Sequence, residues 1–177
     1  MLKEKPYLKR VLYGIVVLVG ILLDQLSKHL AVLYLQPISS LPLLRGVLHL
    51  TYVENRGAAF GMFSEHRWVF MIFSTVAILG IFAYLLFDRS FLSDKGEDGK
   101  YPPLTLFTGV SLAMIVSGGI GNMIDRIVSG YVVDFIDFTL INFAVFNIAD
   151  CFVTVGAVLL ALSLLLTFFK RKETEGK

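Results

Sequence analysis

Four long apolar runs, separated by shorter polar segments, set the pattern of this 177-residue chain. They cover residues 11–35, 68–87, 104–124 and 146–169. Each run is close to the length of about 20 residues that a helix needs to cross a bilayer core of roughly 30 Å. The pattern therefore predicts an all-α polytopic membrane protein with four transmembrane helices, folded as a single membrane domain over residues 1–177.

The segments after the first and third runs have a different pattern. Residues 47–53 and 131–138 are rich in β-branched and aromatic residues and alternate in part, which favours short strands. Asn55-Arg56-Gly57 is typical of a turn. Strand backbone is tolerated near lipid only where protein covers it or water wets it. We therefore expect the outer segments 36–67 and 125–145 to form a small extracytoplasmic β-cradle.

Composition and charge indicate a membrane location and an orientation. Hydrophobic residues make up 56% of the chain, and the mean hydropathy of +0.74 exceeds that of ordinary soluble domains. Eleven basic residues flank one side of the predicted spans and four flank the other, while Lys28 lies inside a span. The positive-inside rule then places both termini and the connector 88–103 in the cytoplasm. The inner set is Lys3, Lys5, Lys9, Arg10, Arg89, Lys95, Lys100, Lys170, Arg171, Lys172 and Lys177, and the outer set is Arg45, Arg56, Arg67 and Arg126.

Charged residues near the ends of the runs are candidates for function. A charge near lipid is costly, and a membrane segment keeps it mainly for proton chemistry, ion passage or a structural pairing. Asp24 and Lys28 are four residues apart and share a helix face, so they form a structural ion pair or orient a substrate or a neighbouring loop. Asp125 and Arg126 are predicted to follow the third helix directly, one turn after Asn122. They are an interfacial anchor or part of a catalytic site.

Asp134 and Asp150 are the sharpest candidates for chemistry. Asp134 lies in the strand-like piece that should fold back over the outer leaflet, and Asp150 lies in the first turns of the last helix, three residues after Asn147. Two close carboxylates share one proton. The ionised member can then activate a water while the other protonates a carbonyl or a leaving amine, which predicts amide hydrolysis without a covalent intermediate. Asp137 is an alternative to Asp134, although it alternates to another strand face.

Other kinds of site have weaker signals. Cys151 adjoins Asp150 but has no histidine nearby in sequence, and neither G-x-S-x-G nor H-E-x-x-H occurs. Carboxylates alone could hold a hard cation, but Arg126 beside them argues against it. The G-G-I-G run predicts close helix packing rather than phosphate binding. We therefore expect no metal, no cofactor and no nucleic-acid partner, since the basic residues flank the membrane instead of forming a stripe.

Two further functions remain open at this point. A small proton-coupled transporter or channel would line a path with Asp24, Lys28 and Asp150. A structural membrane module would use its aspartates only to pair with Arg126 and Lys28. The clustering of ionisable groups at one leaflet, with no repeated half, favours a hydrolase over the transporter.

Five motifs in order give a more specific indication. They are Asp24-Gln25-x-x-Lys28, Asn55-Arg56-Gly57-Ala58-Ala59-Phe60-Gly61, Gly121-Asn122-x-Ile124-Asp125-Arg126, Val133-Asp134-Phe135-Ile136-Asp137 and Phe146-Asn147-x-Ala149-Asp150. Through these motifs the sequence resembles the lipoprotein signal peptidases, also called signal peptidase II, over essentially its whole length. The resemblance implies four helices, an outer β-cradle and an aspartic catalytic pair facing the outer leaflet of the bacterial cytoplasmic (inner) membrane.

The resemblance also implies a substrate and residue roles. The substrate would be a diacylglyceryl-modified bacterial prolipoprotein, cleaved just before the lipidated cysteine, with globomycin-type peptides as inhibitors and membrane lipid as a partner. The cradle could clamp the unwound signal sequence by strand pairing. We expect a monomer. Asp134 and Asp150 would be the catalytic pair, Asn55, Asn122, Arg126 and Asn147 would line the site and hold the substrate or the pair, and Asp125, Asp24 and Lys28 would be supporting residues.

Overall fold

Four helices and a three-stranded sheet form the part of the chain that the structure, a computed structural model, describes: residues 6–57, 67–87 and 106–175. The helices are α1 (Pro6–Leu30), α2 (Arg67–Phe87), α3 (Leu106–Val128) and α4 (Ile148–Glu175). The strands are β1 (Ser40–Leu44), β2 (Leu48–Asn55) and β3 (Val132–Asp137). A π-helical turn over Ala31–Leu35 continues α1, and a 3-10 turn over Thr139–Ile141 follows β3.

Within these ranges, three helical stretches are long and apolar enough to cross a membrane: Leu8–Leu35, Leu106–Val128 and Ile148–Phe169. A shorter apolar stretch, Ile72–Phe87, lies in α2. Large apolar side chains such as Leu22 on α1 and Val158 on α4 point outward and are more than half exposed. Exposed apolar surface of this kind is typical of a protein that lipid surrounds.

Helix α3 lies at the centre and packs against α1, α2 and α4. Its glycines permit the close approach, since a Cβ at Gly118 would lie 2.2 Å from the carbonyl oxygen of Ala149 in α4. A Cβ at Gly121 would lie 2.5 Å from Oδ2 of Asp24 in α1. The prediction of close helix packing from the G-G-I-G run is therefore confirmed.

The sheet has the order β1-β2-β3 with antiparallel neighbours, and β3 fixes its position relative to α4. One edge of β3 pairs with β2, so that Asp134 lies opposite Val53. On the other edge Ile136 exchanges two hydrogen bonds with Phe146, at 2.8 and 3.0 Å. Because Phe146 stands two residues before α4, this bridge brings the start of α4 against the strand that carries Asp134.

The boundaries differ from the sequence prediction in three informative places. Helix α3 continues to Val128, so Asp125 and Arg126 belong to its last turns and not to the following outer segment. The apolar run stops at the first charge, but the helix continues because both side chains find partners within the protein. Helix α4 starts at Ile148 instead of 146, since Phe146 is held by β3. It also extends past residue 169, because the hydropathy pattern predicts which residues face lipid and not where the helical hydrogen bonding ends.

The cradle also contains a strand that the pattern did not predict. The sequence indicated a strand over residues 47–53, which corresponds to β2, but gave no signal for β1. All five residues of β1 are exposed, and Pro42 interrupts its donors, so neither alternation nor propensity marks it. The connector 88–103, the start of the third run at residue 104 and the motif residues 58–61 lie outside the described residues.

Candidate active site

The first turn of α4 joins Asn147 and Asp150 in a reciprocal cap. The backbone N–H of Asp150 donates to Asn147 Oδ1 at 2.9 Å, and the backbone N–H of Asn147 donates to Asp150 Oδ2 at 3.3 Å. This is the capping-box arrangement, with an aspartate at the third helical position. The Asn147 amide group donates in addition to Asp134 Oδ1 at 2.6 Å. Asn147, which is fully buried, therefore connects the two candidate aspartates.

Asp134 is held on its other oxygen by the turn after β2. Asn55 Nδ2 donates to Asp134 Oδ2 at 3.0 Å, while the N–H of Gly57 donates to Asn55 Oδ1 at 3.0 Å and fixes the orientation of the amide. Asp134 is only 2% exposed. Burial raises the pKa of this carboxyl to about 6. The hydrogen bonds from Asn55 and Asn147 oppose the rise, and the negative charge of Asp150 adds to it.

Two residues of α3 complete the surroundings of Asp150. Asn122 Nδ2 donates to Asp150 Oδ1 at 2.8 Å, and Asn122 Oδ1 accepts from Asn147 Nδ2 at 3.1 Å. Arg126, one turn later, donates to the carbonyl oxygens of Asn122 and Gly57, both at 3.3 Å. The Arg126 guanidinium interacts electrostatically with both Asp150 and Asp134.

A cavity of about 720 Å³ adjoins these polar groups and extends between the helices. Asp134 and Asp150 both line it, together with Asn55, Asn122 and Arg126. Asp134 and Asp150 therefore lie at the same cavity and share Asn147 as a hydrogen-bond partner. The other end of the cavity lies between α2, α3 and α4 and is apolar, with Ile78, Ile81, Ile115, Val153 and Val155 among its lining residues.

Behind this cavity, three ionisable side chains form a buried group that we call the Lys28 cluster: Asp24, Lys28 and Asp125. Lys28 Nζ lies 2.9 Å from Asp24 Oδ2 and 2.9 Å from Asp125 Oδ2, and it donates to Asn122 Oδ1 at 2.8 Å. All three members are at most 8% exposed, and none lines the cavity. A transport path through Asp24, Lys28 and Asp150 is therefore not supported.

Each carboxylate of the Lys28 cluster also accepts a backbone hydrogen bond from another element. The N–H of Ala149 in α4 donates to Asp24 Oδ1 at 2.9 Å. The N–H of Val133 in β3 donates to Asp125 Oδ2 at 3.2 Å. The sequence left open whether Asp125 is an anchor or a catalytic group. Because its carboxylate oxygens bind Lys28 and the backbone of β3 and do not face the cavity, the structure favours the anchor.

The remaining candidates from the sequence lie elsewhere. Asp137 accepts a hydrogen bond from Thr51 at 2.8 Å, stands opposite His49 in the sheet and does not line the cavity. These contacts favour Asp134 over the alternative that placed Asp137 in the pair. Cys151 is half-buried and lines the cavity. Among the described residues, no three His, Cys, Asp or Glu side chains are grouped so that they could hold a metal ion.

Comparison with known proteins decides the family. The sequence profile described as signal peptidase (SPase) II matches residues 16–166. The chain belongs to the signal peptidase II family. A lipoprotein signal peptidase from Caldanaerobacter subterraneus subsp. tengcongensis is 45% identical over 146 residues, which are 82% of this chain and 90% of that protein. The lipoprotein signal peptidase of Clostridioides difficile is 41% identical over 162 residues, 91% of this chain and 98% of its own length.

Solved structures share the fold. A bacterial membrane enzyme determined by the in meso method at 2.3 Å resolution aligns with a TM-score of 0.73 and 27% identity, over 93% of this chain and 90% of its own. A second bacterial membrane enzyme, at 1.9 Å, aligns with a TM-score of 0.70 over 86% of this chain. The recognition of the signal peptidase II family from five sequence motifs is thus confirmed.

Within this signal peptidase II fold, sequence reasoning gave no role to one residue. Gln25 Nε2 donates to Asp125 Oδ1 at 2.9 Å and to the carbonyl oxygen of Gly121 at 3.2 Å, which ties α1 to α3 beside the Lys28 cluster. The signal was present, since Gln25 is a polar residue inside an apolar run. It was passed over because an uncharged amide in a helix has no distinct chemistry of its own.

Proposed function

We propose that this protein removes signal peptides from prolipoproteins as an aspartic endopeptidase of the bacterial cytoplasmic membrane, with Asp134 and Asp150 as its catalytic pair. One observation carries the proposal: both carboxylates line the same cavity and are joined through Asn147. The names of the relatives, lipoprotein signal peptidases, support the substrate class. The apolar end of the cavity supports a lipid-modified substrate.

The proposed chemistry uses one shared proton. The ionised carboxylate of Asp150 accepts a proton from water, whose oxygen attacks the scissile carbonyl carbon, while protonated Asp134 donates its proton to the carbonyl oxygen. The resulting diol collapses when the proton on Asp150 passes to the leaving amine and Asp134 recovers its own. Asn122 and Asn147 hold the pair in place through their amides. Arg126, positively charged at the cavity wall, balances the negative charge of the pair and of the polarised carbonyl.

The shape of the cavity supports a position for the substrate. The diacylglyceryl-modified cysteine, which would follow the cleaved bond, brings acyl chains that match the apolar walls of α2, α3 and α4. A substrate strand clamped at the sheet edge would lie further from Asp134, because the unpaired edge of the sheet is β1 and Asp134 is on β3. A strand added there would lie three strand spacings, about 14 Å, from β3. We therefore place the scissile bond in the cavity and not on the sheet edge.

The orientation and assembly belong to the same proposal. Helix α2 would be the fourth transmembrane helix, since its apolar stretch Ile72–Phe87 lies beside α3. With both termini in the cytoplasm, the sheet and the catalytic pair face the outer leaflet. Globomycin-type peptides would bind in the cavity, membrane lipid would surround the helices, and the enzyme would act as a monomer without a cofactor.

Replacement of each aspartate by asparagine tests the proposal. The substrate is a synthetic prolipoprotein peptide that carries a diacylglyceryl cysteine, presented in detergent micelles. Asp150→Asn and Asp134→Asn should each lower kcat by at least about 100-fold, because each removes a proton-transfer group. Asp125→Asn, measured beside them, should lose less because its oxygens face away from the cavity.

Asp137→Asn is the matched control, since it makes the same chemical change three residues further along β3. It should cleave the peptide at the wild-type rate. Circular dichroism and size-exclusion chromatography in the same detergent establish that each variant is folded. A folded Asp150→Asn protein that processes the peptide at the normal rate would refute the role of this aspartate.

A further inference from the structure

Lys28 contacts three side chains that hold the surroundings of the two proposed catalytic aspartates. An ammonium group has three donors, and Lys28 directs them to Asp24 at 2.9 Å, to Asp125 at 2.9 Å and to Asn122 at 2.8 Å. Lys28 is 3% exposed. Its donors are therefore fully used by two carboxylates and one amide, and these belong to two different helices.

Each of the two carboxylates that Lys28 binds accepts a backbone hydrogen bond from the residue directly before one of the proposed catalytic aspartates. Asp24 binds the N–H of Ala149, the residue directly before Asp150. Asp125 binds the N–H of Val133, the residue directly before Asp134. One cation thus fixes two acceptors, and each acceptor fixes the backbone next to one member of the pair.

The third contact reaches Asp150 by another route. Lys28 donates to Asn122 Oδ1, which turns the amide so that Nδ2 faces Asp150 Oδ1 at 2.8 Å. Without Lys28, the Asn122 Oδ1 atom would keep only the longer hydrogen bond from Asn147 Nδ2, at 3.1 Å, so the orientation of the amide would be less firmly fixed. Lys28 therefore influences both the backbone position and the side-chain hydrogen bonding of Asp150.

On this geometry we propose that Lys28 is a positioning residue that sets the separation of the catalytic pair, with Asp24 and Asp125 as its two arms. The inference rests on the proposed function, since it concerns the same pair. A buried ion pair needs no such arrangement merely to make its charges tolerable, because one carboxylate would neutralise one ammonium. Buried ion pairs also add little net stability compared with apolar side chains of similar size. A role in geometry accounts for the second carboxylate and for both backbone contacts.

Lys28→Met tests the proposal, because methionine has a similar length and no charge. A shift of about 1 Å in a reacting group lowers rates about 100-fold. We expect kcat for the diacylglyceryl peptide to fall by about 10- to 100-fold, with KM within about threefold, since the cavity walls are untouched. Ser163→Ala is the control for lost buried polar contacts. It removes the hydrogen bond to Thr108 about 20 Å along α4 from Asp150, and it should leave kcat unchanged.

A second readout separates positioning from loss of folded protein. The charged groups around Asp134 are Asp150 on α4, Arg126 and Asp125 on α3, and Lys28 on α1. Loss of the Lys28 cation leaves the negative groups less compensated and favours protonated Asp134. The alkaline limb of the kcat/KM profile should therefore move to higher pH in Lys28→Met. A variant that is only less stable would lower the rate at every pH without moving the limb.

The double variant Asp24→Asn with Lys28→Met keeps the experiment decisive if the single variant unfolds. It leaves the net charge of the Lys28 cluster unchanged and retains an oxygen for the N–H of Ala149, so the fold should recover. The contacts of the cation with Asn122 and Asp125 stay absent, so kcat should remain low. A double variant, or a folded single variant, with wild-type kcat overturns the inference. If Asp150→Asn also cleaves normally, the proposed function fails with it; if Asp150→Asn is inactive, only the role of Lys28 is lost.

Discussion

The contact between Gly118 and α4 leads to a quantitative prediction about catalysis. In Gly118→Ala the new Cβ would lie 2.2 Å from the carbonyl oxygen of Ala149 and 2.8 Å from Cγ2 of Val153. The first neighbour is backbone, which cannot turn away as a side chain can. Helix α4 must therefore move by about 1 Å at its first turn, because carbon contacts settle at roughly 3.5 Å.

The size of the effect follows from which residue moves. Ala149 stands directly before Asp150, so the displacement acts on a proposed catalytic group. A misplacement of about 1 Å costs about 100-fold in rate, which corresponds to about 2.7 kcal/mol in the activation free energy. The unfolding free energy should change less, since overpacking costs about 1–3 kcal/mol and replacing glycine in a helix returns about 1 kcal/mol.

The assay compares kcat for the diacylglyceryl peptide with the denaturant midpoint in the same micelles. Gly80→Ala and Gly14→Ala are matched controls on α2 and α1, because a Cβ at either position meets no described atom within 4 Å. Both controls should keep wild-type kcat and gain slightly in stability. A Gly118→Ala protein that is folded and cleaves at the wild-type rate would show that the spacing of α3 and α4 does not set the position of Asp150.

Two further predictions concern the pair itself. Since the pKa of Asp134 is raised to about 6, its protonated form persists to higher pH than in an ordinary aspartate, and kcat/KM should fall as pH rises above about 6; a profile that is flat from pH 5.5 to 8 would contradict the assignment of the proton to Asp134. In Asn147→Ala the loss of the cap should lower stability by about 1 kcal/mol and the loss of the Asp134 contact should lower kcat. Asn147→Ser keeps a capping oxygen but no amide donor, so it should regain stability and not activity; recovery of both in denaturation and cleavage assays would show that the amide donor to Asp134 is dispensable.

Three of the four runs predicted from hydropathy correspond to helical stretches long and apolar enough to cross a membrane, because lipid acts on every residue of a span in the same way. Hydropathy did not predict the helix ends, because local hydrogen-bond and ion-pair partners determine where a helix begins and ends. Asp125 stops the apolar run, but its bond to Lys28 lets α3 continue to Val128. Asn147 and Asp150 form the signature of a helix start, and a search for capping boxes would have placed the beginning of α4 at Ile148.

The sequence predicted which residues belong to the candidate site, but its spacing did not show which of them line the cavity and which lie behind it. Motif positions identified Asn55, Asn122, Arg126, Asp134 and Asp150, which line the cavity, and also Asn147, which is fully buried and does not line it. Spacing and residue type alone gave no means to tell the lining residues from Asp24, Lys28 and Asp125, which lie behind the cavity; only the family resemblance gave those three a supporting role. That distinction depends on side-chain direction at the crossing of α1 and α3, where Gly121 leaves room for the Asp24 carboxylate. Spacing along one chain does not contain that information.

Asp134 and Asp150 have different surroundings, and this difference supports the roles proposed for them. Asp150 lies in the first turn of α4, where the positive end of the helix dipole stabilises a negative charge. It also accepts the N–H of Asn147 and the amide of Asn122. Asp134 lies on a strand that provides no such dipole, and its burial favours the protonated form. In the proposed mechanism Asp134 therefore carries the shared proton and Asp150 acts as the base, and the fold would separate acid from base by placing one carboxylate on a strand and the other at a helix start.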